Sequence, residues 1–537
     1  MKENLHMSKQ QKWILFYVLL FIVAIAIAKP NNFLLLLTAA QMLYIPILLL
    51  YIKKKEDWFS KYFPLFIIPA LVSVLLLYFT QSQVMTIILA GIYLLYTMIV
   101  AYYGVTRFLK RGFIYFEEFM IDAGMVYLAI GGMWYFAHIV DIDTGFSPII
   151  TWLTSIHFHY SAFLLPVFAG LLGRVYKSEG YLYIGMIILF APILLALGIT
   201  FSVWIEILSV IFYLLGIYGV IILSIKAPFS NTLQKILIVT SFGSLGITIL
   251  FSLLYALGQR WSDFSLSIPF MLQFHGFFNC IIFALIGVIG WALSLPLPAD
   301  NNEGMPISAI RGKGTIGERI IKPFKDDTVH QGLVDRISQY EPEVTASLPK
   351  AIADFYEHTL NYRLFAEVKW KLWFKPFAAI YRMYSKRMQQ INLPLSAQRV
   401  EMNGDLISIA ELRDGRPSPR AWIRKIDDDI AFVAIYSWHC KNNRTFMNIA
   451  LPLPFSTMTG ILEVKQVGSE LELTSKPSSS ESDAGIYLSW KSSHHFRLPL
   501  EELFQIRETG KGTLKATHQM WIFSLPFLTI EYEIHSL

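Results

Sequence analysis

Residues 182–200 read LYIGMIILFAPILLALGIT, a stretch without a single charged side chain. The hydrocarbon core of a bilayer is about 30 Å thick and is crossed by about 20 apolar residues of helix, because lipid cannot satisfy backbone N–H and C=O groups. This stretch is therefore a predicted transmembrane helix, and similar stretches recur throughout the chain before residue 300. The ten predicted spans are Trp13–Ala28, Phe33–Ile52, Tyr62–Phe79, Val84–Tyr103, Phe119–Val140, Pro148–Gly173, Leu182–Thr200, Trp204–Ile225, Ile236–Leu257 and Ile268–Leu295.

The overall composition agrees with a membrane protein. The 537 residues are 55% hydrophobic and only 16% charged, which excludes a single water-soluble globule. Two cysteines exclude a disulfide-rich secreted scaffold. The segment Leu295–Gly314 is rich in Pro, Gly, Asn and Asp, which indicates a linker. We predict a polytopic transmembrane domain at residues 1–295, a linker at 296–330 and a soluble cytoplasmic α+β domain at 331–537.

The basic residues between the predicted spans alternate in number. Cations near span ends stay in the cytoplasm, so they test the span count independently. The N-terminus and the even-numbered connections carry fourteen Lys and Arg residues, whereas the odd-numbered connections carry only Lys29 and Arg260. This predicts that both termini are cytoplasmic. The first span, preceded by Lys2 and ending in the A-x-A pattern of Ala26 and Ala28, also resembles a signal peptide, and we expect it to be retained as a helix.

Ionisable side chains lie inside some of these spans, where each costs roughly 2.5–3.5 kcal/mol and so needs a reason. In the sixth span His157 and His159 stand two residues apart. In the tenth span His275 and Asn279 stand one turn apart, on the same helix face. With the predicted orientation, His157 and His275 both lie roughly 10–14 Å below the outer surface. Asp122, near the start of the fifth span, is expected to be an interfacial carboxylate.

These positions predict one polar pocket in the outer half of the bundle, which would bind a polar solute, a metal or a haem, or relay protons. Its candidate ligand-binding residues are His157, His159, His275 and Asn279, with His138 and Glu206 slightly shallower on the same side. The alternative is that these groups only hydrogen-bond between helices. Histidines at i and i+2 point to nearly opposite sides of a helix, which disfavours their sharing one metal ion. The pattern assigns no cofactor.

Three features of the sequence together resemble a known family. They are the run HFHY at 157–160 followed by Pro166, the run FHGFFN at 274–279, and the order of many spans before a cytoplasmic tail. They resemble the YndJ-like family of uncharacterised membrane proteins from Bacillus-type bacteria, best over the first 300 residues. The resemblance implies the plasma membrane of a Gram-positive cell. The family has no established activity, so the resemblance implies no substrate and no catalytic residue.

The soluble domain begins with a predicted helical region from Ser347, as a helix cap, to Gln390. Within it the stretch Arg363–Arg387 interleaves cations with aromatic residues against the single acid Glu367. A basic helix with aromatic anchors is suited to the anionic lipid of the inner leaflet. The alternative is that the aromatic residues form a core and the cations its solvated rim. No RNA-binding signature accompanies them, so we expect no nucleic-acid partner.

Beyond Ala397 apolar and polar residues alternate between turn formers such as Asn403-Gly404 and Asp414-Gly415. This pattern predicts an antiparallel sheet packed on the preceding helices, which is an α+β domain. The predicted strands are Arg399–Met402, Leu406–Leu412, Arg420–Ile426, Ile430–Ser437, Thr445–Leu451, Thr457–Val467, Glu470–Ser475, Gly485–Lys491, Thr513–Met520 and Phe527–Ile534.

Three functional hypotheses follow from the sequence. The first is a protein that binds or transports a small solute or lipid through the histidine pocket, with a cytoplasmic regulatory or lipid-binding domain. The second is a haem- or metal-binding membrane redox protein, and the third is a non-catalytic accessory protein whose histidines only pack. No nucleophile elbow, zinc motif or P-loop occurs in the sequence, so enzymatic activity is not expected. We prefer the first hypothesis.

Overall fold

The three-dimensional structure is a computed structural model. It describes residues 8–27, 33–54, 57–261, 266–298, 306–340, 348–479, 482–491, 494–510 and 512–537. The predicted features at Lys2, Ala28, Lys29, Ser347 and linker residues 299–305 lie outside the described residues.

The described residues divide into two compact units. Those within Met1–Phe108 and Tyr115–Asp300 form the first, called here the membrane unit. Those within Leu109–Ile114 and Asn301–Leu537 form the second, called here the sheet unit.

Ten helices in the described part of the chain are long and apolar enough to cross a membrane, which confirms the predicted helical bundle. Spans 2 and 6 are mostly buried, whereas the other spans expose apolar side chains such as Leu95, Tyr183 and Phe201. Apolar exposure of this kind is what lipid contact requires. Spans 1 to 10 are Lys9–Ala26, Leu34–Ile52, Trp58–Leu76, Gln83–Arg111, Phe116–Val140, Pro148–Val175, Tyr181–Phe201, Val203–Lys226, Thr232–Gly258 and Ile268–Leu293.

Spans 2, 6 and 10 contain π-helical turns. Span 2 has one at Ala40–Tyr44 and span 6 has one at Tyr160–Leu164, each directly before a proline-containing turn. Pro46 and Pro166 explain these two, because proline lacks an N–H and its ring crowds the preceding turn. Span 10 has two such turns, at Met271–Gly276 and Asn279–Leu285, which contain no proline. π-Helical turns are frequent at functional sites.

A buried group of ion pairs joins spans 4, 5 and 6. Glu118 Oε2 lies 2.8 Å from Arg107 Nη2, and its Oε1 lies 2.6 Å from Arg174 Nε. Arg107 Nε lies 2.9 Å from Asp122 Oδ1. All four side chains are buried, and Asp122, predicted to be an interfacial carboxylate, is paired with Arg107. Asp122 lies where the guanidinium group of Arg107 extends into the bundle of spans.

The two arginines extend this group to more distant segments. Arg107 Nη1 donates to the carbonyl oxygen of Ile52 at the end of span 2, and Arg174 Nη1 donates to the carbonyl oxygen of Pro296 just after span 10, both at 3.2 Å. A carboxylate held by two guanidinium groups keeps the buried charges compensated. The group therefore fixes the ends of five spans relative to one another.

The sheet unit is built around one antiparallel sheet of thirteen strands, in the order β2-β1-β13-β12-β11-β8-β7-β6-β5-β4-β3, with β9 paired to β7 and β10 paired to β9. This confirms the predicted α+β architecture with an antiparallel sheet. The strands β1 to β13 are Tyr362–Trp370, Arg399–Glu401, Asn403–Ser408, Arg420–Ile426, Asp429–Lys441, Arg444–Leu453, Ser456–Val467, Glu470–Thr474, Gly485–Lys491, His494–Arg497, Leu500–Gly510, Thr513–Ile522 and Leu525–Ser536.

The described part of the sheet unit includes three α-helices: α1 (Lys350–Glu357), α2 (Lys375–Met388) and the short α3 (Glu411–Asp414). Helix α1 is strongly amphipathic and buries Ile352, Phe355 and Tyr356 in the main core of the unit. Helix α2 buries only Ala378 and Ser385.

The structure corrects the sequence-based assignment of Arg363–Trp370, which is part of strand β1 and not of a helix. Leu364, Ala366 and Val368 are buried at every second position, and the strand pairs with β13 from Tyr362 to Trp370. Period-two burial is the property of a strand with one face on a core. The helical prediction was wrong because the cations and aromatic residues of this stretch hid that alternation. Only α2 supplies a basic aromatic helix.

Three further details of the predicted sheet were wrong. Asn403-Gly404 is not a turn, since both residues pair with β4 opposite Lys425 and Arg424. Leu412 belongs to α3 and not to a strand. Strands β10 and β11 were not predicted, and β11 begins with consecutive acids that interrupt an apolar alternation.

Replacing Glu118 should destabilise the membrane unit strongly. The Glu118→Ala substitution leaves the buried guanidinium groups of Arg107 and Arg174 without this shared carboxylate, and loss of one partner of a buried ion pair costs about 3–5 kcal/mol. We expect a decrease of this size in the free energy of unfolding, measured by thermal unfolding of the purified protein in detergent. The exposed Glu179→Ala variant is the control. Equal stability of the two variants would contradict the role assigned to the ion pairs.

Candidate functional site

The membrane unit contains a cavity of about 610 Å³. Side chains from spans 2, 6, 7, 8, 9 and 10 border it, together with Phe146 from the connection before span 6. Most of the lining is aliphatic or aromatic. A volume of several hundred Å³ with an apolar wall and few polar groups is typical of sites that bind small molecules. The polar side chains at its wall include His157, Glu206, Tyr213, His275 and Asn279.

His157 presents one ring nitrogen to the cavity. Its Nδ1 lies 2.8 Å from the carbonyl oxygen of Leu153, one turn earlier in span 6. Because a carbonyl oxygen only accepts, Nδ1 carries the hydrogen, and Nε2 of the neutral ring is then a hydrogen-bond acceptor. The side chain is exposed although it lies within a span, because it borders the cavity.

His275 and Asn279 form a second polar group with Thr248 of span 9. His275 Nδ1 lies 3.0 Å from the carbonyl oxygen of Thr248, and Asn279 Nδ2 donates to His275 Nε2 at 3.2 Å. The hydroxyl of Thr248 donates to Asn279 Oδ1 at 2.8 Å. These bonds fix the tautomer and the orientation of the imidazole. Both ring nitrogens of His275 are thus engaged within the protein.

The π-helical turns lie at these polar side chains. His275 is inside the turn Met271–Gly276, Asn279 opens the turn Asn279–Leu285, and the turn of span 6 begins three residues after His157. A π-helical turn inserts an extra residue into the helix and rotates the side chains that follow it. The backbone geometry of spans 6 and 10 is therefore irregular where the polar groups face the cavity.

Glu206 brings a carboxylate to the apolar wall. It lies in the first turn of span 8 and is only 9% exposed. Gly198 of span 7 packs so closely against this turn that a Cβ there would collide with the backbone of Glu206. No ion pair or hydrogen bond to the Glu206 carboxylate is found within the described ranges, and no Lys or Arg is among the residues that line the cavity. The helix N-terminus supplies a partial positive charge nearby.

The structure places two of the predicted pocket residues elsewhere. His159 is fully buried on the other side of span 6, where Nε2 lies 2.8 Å from the Tyr93 hydroxyl and Nδ1 lies 2.7 Å from the Ser155 carbonyl oxygen. The i, i+2 spacing causes this, because it turns the second side chain away from the first. His138 belongs to span 5, which does not border the cavity. Of the six residues predicted to form one pocket, His157, Glu206, His275 and Asn279 border this cavity, and His138 and His159 do not.

Sequence reasoning missed the aromatic and hydroxyl groups of the same wall. Tyr213 of span 8 has a buried hydroxyl with no hydrogen-bond partner among the described residues, and it borders the cavity. Ser252 lies 3.3 Å from His275 Nδ1 through its hydroxyl. Tyrosine and serine are common in ordinary spans, so nothing in the sequence distinguished these positions.

The donor groups do not suit a metal ion. Within the described ranges, no three His, Cys, Asp or Glu side chains stand together in an arrangement that could hold one. His275 has both ring nitrogens engaged, which leaves His157 Nε2 as the imidazole acceptor that faces the cavity. What the wall offers is a set of hydrogen-bond acceptors, one of them a carboxylate.

The two histidines of span 6 should respond differently to substitution. His159→Ala removes a buried ring and leaves the Tyr93 hydroxyl and the Ser155 carbonyl oxygen without it, so we expect a loss of about 2–4 kcal/mol in the free energy of unfolding. His157→Ala enlarges an existing cavity, and we expect a loss under about 1 kcal/mol. Thermal unfolding in detergent measures both. Similar losses for the two variants would contradict the separation of these side chains.

Comparison with known proteins agrees with the bundle of spans. A family model described as YndJ-like protein matches residues 35–283, which include the residues around the cavity. The chain is 38% identical over 457 residues to the Uncharacterized membrane protein YndJ of Bacillus subtilis (strain 168), and the match covers 83% of each chain. No solved structure matches the chain. Identity of this extent over most of both sequences confirms the resemblance, and the chain belongs to the YndJ-like family of membrane proteins.

Proposed function

We propose that the protein binds or transports a small lipid-like molecule through the cavity of the membrane unit. The observation that carries the proposal is an apolar chamber of about 610 Å³ with a carboxylate, Glu206, and an imidazole acceptor, His157 Nε2, at its wall. An apolar chamber favours a hydrocarbon body, whereas the two acceptors favour a head group that donates hydrogen bonds.

The charge of the cavity wall determines which head group of a ligand is favoured. Glu206 introduces negative charge, and none of the described residues that line the cavity is a cation that would attract an anion. Like charges in a poorly solvated site repel strongly, so a phosphate or carboxylate head is disfavoured. We propose that the ligand is an amphiphile whose head is an amine or carries hydroxyl groups. Tyr213, His275 and Asn279 would orient the remainder of the molecule.

We also propose that the protein lies in the plasma membrane of a bacterial cell, with both termini and the sheet unit in the cytoplasm. The fourteen cations on one set of connections, against two on the other, support this orientation. In this orientation His157 and His275 lie in the outer half of the bundle. The stretch Arg363–Arg387 then lies on the side of the membrane where anionic lipid is found, and we propose contact with that lipid.

The two other hypotheses have weaker support. A metal ion would need a group of three or more His, Cys, Asp or Glu ligands, which the described residues do not bring together. A haem held between two histidines would need a free nitrogen on His275, and both of its ring nitrogens are engaged. A non-catalytic accessory protein needs no cavity, and it would leave an unpaired Glu206 at an apolar wall without a purpose. Ligand binding gives this carboxylate a partner.

Photo-crosslinking tests the proposal. The full chain in phosphatidylcholine nanodiscs is exposed to dodecylamine that carries a diazirine on its chain, and labelled peptides are mapped by mass spectrometry. We expect saturable labelling in spans 6, 8 and 10. Unlabelled dodecylamine or dodecanol should compete, and dodecyl phosphate, with the same chain, should not.

The Glu206→Gln variant removes the charge and keeps the shape. Hydrogen bonds to a charged group contribute about 1.5–3 kcal/mol, so the concentration of dodecylamine that gives half-maximal labelling should rise about 10- to 100-fold. Glu179→Gln, at an exposed position, is the matched control. Non-saturable labelling, equal competition by dodecyl phosphate, or an unchanged Glu206→Gln variant would each refute the proposal.

A further inference from the structure

Helix α2 carries an apolar face that the described residues leave exposed. Trp373 just before the helix, and Phe377, Ile380 and Tyr384 within it, are spaced by four, three and four residues, so they lie on one side. Their side chains are 45%, 59%, 59% and 66% exposed. We call these four residues the aromatic stripe. The opposite side of the helix, with Ala378 and Ser385, packs on the sheet unit.

The hairpin between β12 and β13 extends this surface. Trp373 Nε1 donates to the carbonyl oxygen of Pro526 at 2.9 Å, which holds the stripe beside the hairpin tip. At the tip Phe523 and Leu525 are 53% and 57% exposed. Phe523 and Ser524 both have positive φ, a conformation that two-residue hairpin turns normally give to Asn and Gly. The Phe523 ring packs edge-on against Phe113 of the same unit, with ring centroids 5.7 Å apart, and about half of its side chain stays exposed.

Positive charge accompanies the apolar surface. Lys371, Lys375, Arg382, Lys386 and Arg387 lie in or next to α2. No Asp or Glu occurs from Val368 to Val400. Lys386 forms an ion pair with the more distant Asp429, whose Oδ2 lies 3.4 Å from its Nζ. Tryptophan and tyrosine beside lysine and arginine are the residue types of the membrane interface. The alternative, in which the aromatic residues form a core and the cations its solvated rim, does not explain why these large apolar side chains are exposed.

We propose that the aromatic stripe, together with Phe523 and Leu525, inserts into the head-group region of an anionic lipid leaflet. Anionic lipid is the occupant that matches both the apolar side chains and the cations, and the ten spans of the same chain keep it within a lipid membrane. The proposal deepens the lipid contact proposed above. It moves that contact away from strand β1, whose apolar side chains are buried in the sheet unit.

A fluorescent label at the stripe tests this in the full chain. Cys440 is exposed and is replaced by serine, whereas Cys280 is buried and remains. A bimane label is attached at Ile380→Cys, and the protein is placed one copy per nanodisc in phosphatidylcholine with phosphatidylglycerol. We expect nitroxide-labelled lipid to quench this label several-fold more than a label at Val467→Cys. Val467 is similarly exposed, and it is the last residue of β7, at the opposite end of the sheet from the β12–β13 turn.

Charge reversal provides the second measurement. The Lys371→Glu, Arg387→Glu double variant changes two exposed side chains and should fold normally. It should reduce lipid quenching at position 380 to the level found in phosphatidylcholine alone. Equal quenching at positions 380 and 467 would overturn the proposal. The proposal would also be overturned if the label at position 380 were shielded from aqueous iodide only in nanodiscs that hold two copies. That result would assign the face to a second copy of the chain.

The outcome is separable from that of the cavity experiment. The charge-reversal variant leaves every cavity-lining residue intact, so dodecylamine labelling should be unchanged in it. If lipid does not quench the label at position 380 but cavity labelling is normal, only the proposed lipid contact of the aromatic stripe is refuted. A failure of cavity labelling with normal quenching at position 380 refutes only the ligand site.

Discussion

Every polar group inside the ten spans must find its partner within the protein, because the hydrocarbon core offers none. Most of the membrane unit meets this constraint with bonds between helices, such as the Tyr160 hydroxyl donating to the Leu36 carbonyl oxygen at 2.6 Å. The buried charges meet it as a group, with Glu118 held by two arginines. Glu206 and His157 lie at the cavity wall, and we propose that a ligand supplies their hydrogen-bond partners.

The irregular helices follow from the same constraint. A proline removes one backbone donor, and in spans 2 and 6 the turn before Pro46 or Pro166 widens to accommodate the ring. The two wide turns of span 10 contain no proline, so tertiary contacts must support them. The bonds among Thr248, His275 and Asn279 are such contacts. The backbone of span 10 is thus shaped by the polar group that it carries to the cavity wall.

The sequence predicted the large features because each depends on a local property. Span length and apolar content are such local properties. The shared level of His157 and His275 followed from counting residues along two spans. His159 was predicted to line the pocket and does not border the cavity, for a different reason. Residue spacing shows that the side chains of His157 and His159 diverge, but it does not show which of the two faces a cavity. That choice depends on how each span is rotated against its neighbours. Arg107 and Asp122 likewise meet only after two spans pack.

Strand β1 shows a second limit of local reasoning. Its alternation of Leu364, Ala366 and Val368 is short, and it precedes a true basic aromatic helix, so one continuous helix fitted the composition equally well. The pairing with β13, more than 150 residues later in the chain, decides in favour of the strand. Long-range pairing of this kind is invisible to a local pattern.

The two proposed lipid contacts require molecules of different charge. The surface of α2 has cations beside its aromatic stripe, so it attracts anionic head groups. The cavity has a carboxylate and, among the described residues of its wall, no cation, so we expect it to repel them. Abundant anionic lipid would therefore bind at the surface of the sheet unit without filling the cavity of the membrane unit. A neutral or cationic amphiphile would do the reverse. A chain surrounded by anionic lipid can in this way keep an internal site available for a scarcer molecule, and the absence of lysine and arginine from the cavity wall is the feature that makes the discrimination possible.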